Sequence, residues 1–285
     1  MMQKLSISIA DISISIRGVL QKNPDHIMPS YRPFIHEKSP DIELHLHQGM
    51  PQNLTGKKIF DCPPNWTLYR QEGRVIIKIF EHLSGLSRCL LIPSAMGKCE
   101  LFFADKPGPF TDPFYGPTME LLLVHYLAYK KNGVIIHACG INRKGRGILF
   151  VGESSAGKST IAALWDKERN VEILSDDRIV LKREGNHFFM YGTPWHGDAS
   201  FASPGGVKLE HVFFLTQGGK NVVRKIKGID PVSRFLTSSF PPYWDSQGVQ
   251  DALELFTLLA TQVPCREFIF TPMKEALYCI EEIIN

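Results

Sequence analysis

One stretch, residues 147–160, constrains the fold of this 285-residue chain more than any other. Its core, residues 152–159, fits the pattern G-x-x-x-x-G-K-[ST] in full. The apolar run 148–151 predicts a buried strand before the pattern, and residues 161–165 predict the first turns of a helix after it. Strand, glycine loop and helix form the context in which this pattern binds phosphate, which favours a phosphate site over a turn without a ligand.

The residue types of the loop suit phosphate and a metal ion. Glycines let the backbone fold so that successive N–H groups point at phosphate oxygens, and the helix N-terminus adds partial positive charge. Lys158 would reach the β- and γ-phosphates, and the Ser159 hydroxyl would ligate Mg²⁺. The predicted nucleotide-binding residues are Gly152, Glu153, Ser154, Ser155, Ala156, Gly157, Lys158, Ser159 and Thr160.

Composition excludes several classes of protein. Hydrophobic residues make up 44% of the chain and charged residues 21%, enough to bury a core. A net charge of +3 is too small to indicate a nucleic-acid partner. The six cysteines form no C-x-x-C pair, which favours reduced thiols in a cytoplasmic protein. Residues 1–20 lack the apolar core of a signal peptide, and we expect no membrane partner.

The first 105 residues predict a β-rich unit. Apolar residues alternate at 5, 7 and 9 and again at 12, 14 and 16, which predicts two short strands joined at Ala10 and Asp11. The prolines of residues 23–40 indicate a loop. His36, His45 and His47 could suggest a metal site, but no cluster of cysteines or carboxylates completes one. Further strands are predicted at 42–47, 66–69, 75–79 and 99–104, the middle two forming a hairpin.

A segment rich in proline and glycine, residues 106–117, predicts the boundary between a domain of residues 1–110 and one of residues 118–285. The second domain alternates helical and strand patterns. Its predicted strands are 134–141, 148–151, 171–181 in two halves, 187–191, 207–216 and 265–270, and its predicted helices are 119–131, 161–165, 231–239, 251–261 and 273–284.

Two adjacent acids, Asp176 and Asp177, follow Lys158 by 18 and 19 residues and come after an apolar strand. A phosphate loop needs a carboxylate for Mg²⁺, and transfer to a hydroxyl needs a base. Adjacent residues at a strand end point to opposite sides, so only one acid needs to face the metal. The sequence Ser-Asp-Asp-Arg also suits an ordinary turn, but after a complete phosphate loop we favour the functional interpretation.

Three segments, 136–140, 147–160 and 174–178, together resemble the catalytic domain of HPr kinase/phosphorylase. That family places a histidine-bearing strand, a phosphate loop and an Asp-Asp-Arg segment in this order, phosphorylates a serine of HPr, and is similar to the nucleotide core of phosphoenolpyruvate carboxykinase. With residues 192–198 included, the pattern looks more like divergent HPr-kinase-like proteins, some of them associated with lasso-peptide and other peptide-modification clusters. The resemblance implies an α/β P-loop kinase domain of this type after a smaller β-rich domain.

The resemblance also implies roles for individual residues. Asp177 matches the base that takes the serine proton, and Asp176 would support the metal or its waters. His137 matches a histidine near the transferred phosphate; without the resemblance, a buried core histidine is the simpler interpretation. Asp198 would be a second Mg²⁺ ligand, or a solvated loop acid. The family's Glu-x-Arg-Gly segment is missing, which puts the reverse, phosphorolytic activity in doubt.

These patterns predict a kinase that uses ATP and Mg²⁺ to phosphorylate a serine hydroxyl of a protein or precursor peptide. Trp195 and His196 could offer an aromatic plate and a polar edge to such a chain, or Trp195 could only brace its loop. A non-catalytic ATP-binding module that binds peptides or regulates is the alternative. A GTPase-like switch is less favoured because residues 216–219 lack the lysine and acid of a guanine-reading segment. A homo-oligomer is left open.

Overall fold

The computed structural model describes residues 3–18, 28–52, 54–81, 85–104, 113–114, 116–226 and 228–284. The chain divides into two compact units, Met1–Tyr129 and Lys130–Asn285. Most of the predicted boundary segment, residues 106–117, lies outside the described residues, as does part of the predicted loop 23–40. Residues 118–129, which the sequence pattern assigned to the second domain, cluster with the first unit.

The first unit is built on one eight-stranded sheet with the order β1-β2-β3-β8-β7-β6-β5-β4. The pairs β2–β3 and β3–β8 are parallel, and the other neighbours are antiparallel. The strands are β1 (Gln3–Ile9), β2 (Ile12–Gly18), β3 (Ile42–Gln48), β4 (Lys57–Cys62), β5 (Trp66–Gln71), β6 (Arg74–Glu81), β7 (Gly85–Pro93) and β8 (Lys98–Phe103).

Local sequence explains the tight turns of this sheet. Ala10 and Asp11 join β1 to β2 with φ angles of 54° and 58°, the left-handed conformation of a two-residue hairpin turn. Gly73, with φ of 72°, closes the predicted hairpin of β5 and β6. Strands β4 and β7 were not predicted, and a short 3-10 helix, Pro29–Phe34, lies within the predicted loop.

The histidines of β3 are paired with acids of the same sheet. His45 Nε2 lies 3.1 Å from Glu43 Oε2, and His47 Nε2 lies 3.5 Å from Glu100 Oε1. Throughout the described ranges, no group of three or more His, Cys, Asp or Glu side chains could hold a metal ion. The helix α1 (Thr118–Lys130) follows, and the Tyr126 hydroxyl donates a hydrogen bond to Asp41 at 3.0 Å.

The second unit combines a second eight-stranded sheet with helices, so the described chain is a mixed α/β protein. Pairings run β10-β9-β12-β13-β14-β16-β15, β11 pairs with β9, and a parallel pairing of β10 with β14 returns the path to its start. The strands are β9 (Gly133–Arg143), β10 (Arg146–Val151), β11 (Val171–Ser175), β12 (Arg178–Glu184), β13 (His187–Tyr191), β14 (Gly206–Gln217), β15 (Val222–Lys225) and β16 (Cys265–Phe270).

Helices cover both faces of this sheet because its strands are apolar on both sides. Along β10, Leu149 and Val151 belong to one buried cluster, and Ile148 and Phe150 belong to the other. The first cluster includes residues of α3 (Asp230–Thr237) and α4 (Ser246–Gln262). The second includes residues of α2 (Lys158–Trp165) and α5 (Glu275–Ile284).

The parallel strands β10, β14 and β16 bring their carboxyl ends to one edge of the sheet. The predicted phosphate loop follows β10 directly and therefore lies at that edge, where open α/β sheets bind ligands. None of the helices in the described ranges has the length and apolar character needed to cross a bilayer.

An aromatic row, Phe214, Phe235 and Phe256, ties α3 and α4 to the sheet, with ring centroids 5.0 and 5.3 Å apart and all three rings buried. We predict that Phe256→Ala lowers the free energy of unfolding by about 3–5 kcal/mol, because it removes a ring and leaves a cavity. Urea unfolding followed by circular dichroism checks this. The neighbouring exposed change Thr257→Ala should stay within about 0.5 kcal/mol of the wild type, and equal effects would contradict the role of the row.

Candidate active site

The loop between β10 and α2 depends on two glycines. Gly157 has φ of 101°, and a Cβ there would lie 2.5 Å from the Phe270 ring. A Cβ on Gly152 would lie 2.7 Å from the Ala156 Cβ. Gln217, at the end of β14, donates a hydrogen bond to the Ser155 carbonyl at 2.7 Å. The loop is therefore packed against the ends of both neighbouring parallel strands, β14 and β16.

The Lys158 side chain is buried and folds back along the loop. Its ammonium group donates hydrogen bonds to the carbonyls of Gly152 at 2.9 Å and Glu153 at 2.8 Å. Burial lowers the pKa of Lys158, and the negative charge of Asp177 acts in the opposite direction. The Lys158 ammonium group is thus held close to the backbone that the sequence predicts to bind phosphate.

The Asp176 carboxylate follows β11 and is almost completely buried, with 1% exposure. Its Oδ2 accepts hydrogen bonds from the Ser159 hydroxyl at 2.8 Å and the Ala199 amide at 3.1 Å. Its Oδ1 accepts one from the Gly197 amide at 2.9 Å. These contacts join Asp176 to Ser159, two of the three residues predicted to serve the metal.

The Asp177 carboxylate faces a different set of partners. His137 Nε2 lies 2.8 Å from Oδ1, and Arg178 Nη1 donates to Oδ2 at 2.6 Å. Burial raises the pKa of Asp177, but the hydrogen bond from His137 and the charges of Arg178 and Lys158 outweigh it, so the pKa is lowered. Side chains of both His137 and Asp177 keep partial exposure, 21% and 25%. Asp177 is therefore an ionised carboxylate, able to accept a hydrogen bond, that solvent or a substrate can reach.

The register of β9 and β12 explains why these side chains meet. His137 pairs with Arg178 across the two antiparallel strands, which places Asp177 beside the histidine. Arg178 also lies over the Phe240 ring, 4.3 Å from its centroid. The sequence pattern alone predicts no role for Arg178. Its adjacency to Asp177 was visible in the sequence, whereas its stacking on Phe240 depends on a contact 62 residues away.

The segment between β13 and β14 is hydrogen-bonded to the residues on either side of the two acids. The Ser175 hydroxyl donates to the Trp195 carbonyl at 2.9 Å, and the Thr193 hydroxyl donates to the Arg178 carbonyl at 2.7 Å. Trp195 is half-buried, and its backbone carbonyl anchors the loop. The bracing and aromatic-plate roles of its side chain both stay predictions. His196 is exposed, and its ring interacts with the adjacent Gly197 carbonyl at 2.9 Å.

Asp198 lies between the two residues whose amides bind Asp176, but its own side chain is exposed. Among the described residues, no hydrogen bond or ion pair joins the Asp198 carboxylate to Ser159 or Asp176. Gly197 is a residue of this loop that no sequence motif singled out. A Cβ on Gly197 would lie 2.8 Å from Asp176 Oδ2 and 3.2 Å from Ser159 Oγ, so only glycine fits without a shift.

The donor set fits a hard divalent cation bound together with phosphates. Ser159 and Asp176 offer hydroxyl and carboxylate oxygens in direct contact. Mg²⁺ in nucleotide sites takes one or two carboxylates and completes its shell with water and substrate phosphates. A cage built from protein ligands alone would need more acids than this part of the described chain brings together. Gly152 and Gly157 let the loop take this close-packed backbone conformation, because a Cβ at either position would clash with Ala156 or Phe270.

A cleft of about 470 Å³ opens on one side of the loop. Its walls are the loop residues 151–156, the end of β14 at residues 214–217, and the carboxyl end of α3. The α3 wall contributes Arg234, Thr237 and Ser238. The Ser238 carbonyl accepts a hydrogen bond from the His137 amide at 2.7 Å, so this wall is joined to the strand that carries His137.

Comparison with known proteins adds a coarse likeness of fold. No protein-family model matches the sequence, and no curated protein matches it. Among solved structures, the HPr(Ser) kinase/phosphatase from Coxiella burnetii is similar with a TM-score of 0.29 and 19% sequence identity. The alignment covers 53% of this chain and 93% of that one. At this level the neighbour carries no information about chemistry, which has to come from the side chains of the site.

The Gly197 contact generates a prediction about the metal side of the site. Gly197→Ala should weaken Mg²⁺-dependent nucleotide binding about 10–100-fold, because the new methyl group displaces Asp176 from Ser159. Calorimetric titration of ATP at several Mg²⁺ concentrations measures the change. Gly219→Ala is the matched control, since a Cβ at Gly219 meets nothing within 4 Å. Equal Mg²⁺ requirements in the two variants would show that Gly197 does not set the Asp176 position.

Proposed function

We propose that this chain is a kinase that transfers the γ-phosphate of ATP, with Mg²⁺, to a serine hydroxyl of a protein or peptide. The observation that carries the proposal is the division of two adjacent carboxylates. Asp176 contacts the loop serine Ser159 at 2.8 Å, while Asp177 contacts His137 at 2.8 Å and stays partly exposed. A protein that only binds a nucleotide has use for the first acid and none for the second.

Each residue has a separate task in the proposed reaction. When bound, ATP supplies the phosphoryl group, so that a bond from phosphorus to the serine oxygen forms as the bond to ADP breaks, while Mg²⁺ offsets charge on the oxygens. Ser159 and Asp176 would hold the metal. Lys158 and the loop amides stabilise the charge that develops on the moving group. Asp177 accepts the proton of the serine hydroxyl, with His137 holding the carboxylate in place.

A lowered pKa of Asp177 is compatible with this role. Phosphoryl transfer passes through a loose transition state in which the acceptor oxygen has formed little bond to phosphorus. The acceptor hydroxyl therefore gains more from being positioned than from meeting a strong base. Hydrogen bonds from His137 and Arg178 keep Asp177 ionised and fix its orientation, which is what positioning requires.

Support for a serine of a protein or peptide comes from the resemblance of residues 136–178 to kinases of that kind and from the open surroundings of the acids. His196 is exposed on the loop that crosses Asp176, where an extended chain could reach it. The alternative, an ATP-binding module without catalysis, predicts the same nucleotide affinity and no phosphorylated product. Mass spectrometry of candidate serine peptides incubated with the protein, ATP and Mg²⁺ separates the two; transfer only to a free sugar or nucleoside would refute the serine acceptor.

The first prediction concerns the nucleotide. Lys158→Ala should abolish transfer and weaken ATP binding, because it removes the ammonium group that lies within the loop, hydrogen-bonded to the loop carbonyls. Calorimetric titration with ATP and Mg²⁺ measures the affinity. Lys167→Ala, which removes an exposed lysine just beyond α2, is the matched control. If the affinity of Lys158→Ala equals that of the wild type, the loop is not the phosphate site.

The second prediction separates the two acids. Asp177→Asn should keep ATP binding and lower the phosphorylation rate by about 10²–10⁴, the usual cost of losing a general base. Asp176→Asn should instead raise the Mg²⁺ requirement, because it removes the negative charge of the carboxylate that contacts Ser159. Single-turnover phosphorylation and binding are measured on both, with the exposed Asp166→Asn as the control. Near-normal turnover in Asp177→Asn would place the base elsewhere, with His137 the next candidate.

A further inference from the structure

One wall of the cleft beside α3 is the phosphate loop itself, but the walls formed by β14 and α3 have no task in the chemistry described so far. It is walled by loop residues 151–156, residues 214–217 and the end of α3, and Lys158, Asp176 and Asp177 do not line it. Its volume of about 470 Å³ lies in the range of ligand sites in proteins, about 300–1,000 Å³. A cleft of this size beside the phosphate loop is large enough to bind a ligand.

From the charges of the cleft we infer that it binds the peptide segment carrying the acceptor serine, and that this segment is neutral or basic; this rests on the proposed kinase function. Glu153 and Arg234 are the ionisable residues among those that line it. Arg234 is already compensated by two carboxylates, Asp230 at 3.1 Å and Glu267 at 3.2 Å. In the described ranges Glu153 has no ion pair, so its negative charge is not compensated. With Arg234 already paired, the side chains that line the cleft offer a carboxylate and no unpaired cation.

The lining also disfavours the nucleoside as the occupant. Phe214 is the aromatic residue among those that line the cleft, and its ring is 3% exposed. The Arg234 guanidinium lies 5.6 Å from its centroid, and Phe235 packs on it at 5.0 Å. No ring face among the described lining residues is therefore open for a nucleobase to stack on. The remaining walls offer hydroxyl, amide and backbone groups, which suit an extended peptide.

The connection to the acids favours the acceptor as well. Ser238 ends the cleft on the α3 side, and its carbonyl accepts the His137 amide at 2.7 Å. The next amide along β9, that of Ala138, donates to the Asp177 carbonyl at 3.1 Å. The wall of the cleft and the proposed base are therefore fixed to adjacent residues of one strand. A chain lying in the cleft would have its serine positioned relative to Asp177 by that strand.

The test blocks the cleft with substitutions at positions outside the phosphate loop. Thr237 on α3 and Thr216 on β14 are exposed and line the cleft, so Thr237→Trp and Thr216→Trp each fill part of the space. Ser233→Trp, exposed on the same helix and outside the cleft, is the matched control. The probe is a synthetic library of peptides with a fixed central serine and one varied flanking position. Circular dichroism of every variant checks that it is folded.

Peptide binding, measured by fluorescence anisotropy, and phosphorylation are followed separately, so that the proposed function and this inference fail in different ways. Both Trp variants should raise the peptide Kd and KM at least about tenfold, with ATP affinity unchanged and Ser233→Trp like the wild type. Lysine beside the serine should bind about fivefold more tightly than glutamate. Binding that the Trp variants weaken, without phosphorylation, would support the cleft and overturn the kinase.

Three results would overturn the cleft as the acceptor site. The first is a loss of ATP affinity in Thr237→Trp and Thr216→Trp with peptide binding intact, which would assign the space to the nucleoside. The second is peptide binding that Trp195→Ala weakens and the two cleft variants do not, which would place the acceptor on the loop of residues 192–198. The third is the absence of binding to any peptide of the library.

Discussion

The buried carboxylate of Asp176 is the interaction on which the site depends. A charged group with 1% exposure costs several kcal/mol to desolvate unless hydrogen bonds replace the lost water. Three do so here, from the Ser159 hydroxyl and from the amides of Gly197 and Ala199. The phosphate loop, the end of β11 and the segment that follows β13 are therefore held together by one acid. Displacing any of them leaves Asp176 buried without enough partners.

Strand geometry then decides what the second acid can do. Asp176 and Asp177 form the bend between β11 and β12, where Asp176 contacts Ser159 and Asp177 contacts His137. The pairing of His137 with Arg178 places a histidine and an arginine beside Asp177. One dipeptide at a strand junction thus gives two carboxylates with different partners and different exposure. The Ser-Asp-Asp-Arg sequence could also have formed a plain turn, and the surrounding strands are what give each acid its own surroundings.

The parts of the fold that the sequence predicted are those set by local pattern. The alternation around Ala10 and Asp11, the phosphate loop between β10 and α2, and the strand β13 all have short-range signals. Strand β4, with the sequence Lys-Lys-Ile-Phe-Asp-Cys, is an edge strand with exposed residues and shows no clear alternation. Strand β15 has only four residues. Such strands depend on their neighbours in the sheet, which a single sequence does not display.

The candidate site divides in the same way. Motif and spacing predict the loop residues and the two acids. The role of Gly197 could not, because it depends on a close approach to Asp176 across 21 residues. The Asp198 prediction rested on position within a loop rich in functional residue types. In the structure the neighbouring amides bind Asp176 while the Asp198 side chain is exposed, and its role as a metal ligand stays a prediction.

The distribution of charge around the loop gives the last constraint on how substrates could be arranged. Lys158 and the paired Asp176 and Ser159 lie within the loop and beside it, where negative phosphates and a cation can neutralise one another. On the α3 side, Arg234 is held between Asp230 and Glu267 and is unavailable to a phosphate. A neutral or basic ligand is therefore favoured on the α3 side, and a triphosphate is favoured at the loop itself. If both proposals hold, the two substrates would approach the same loop from sides that differ in charge.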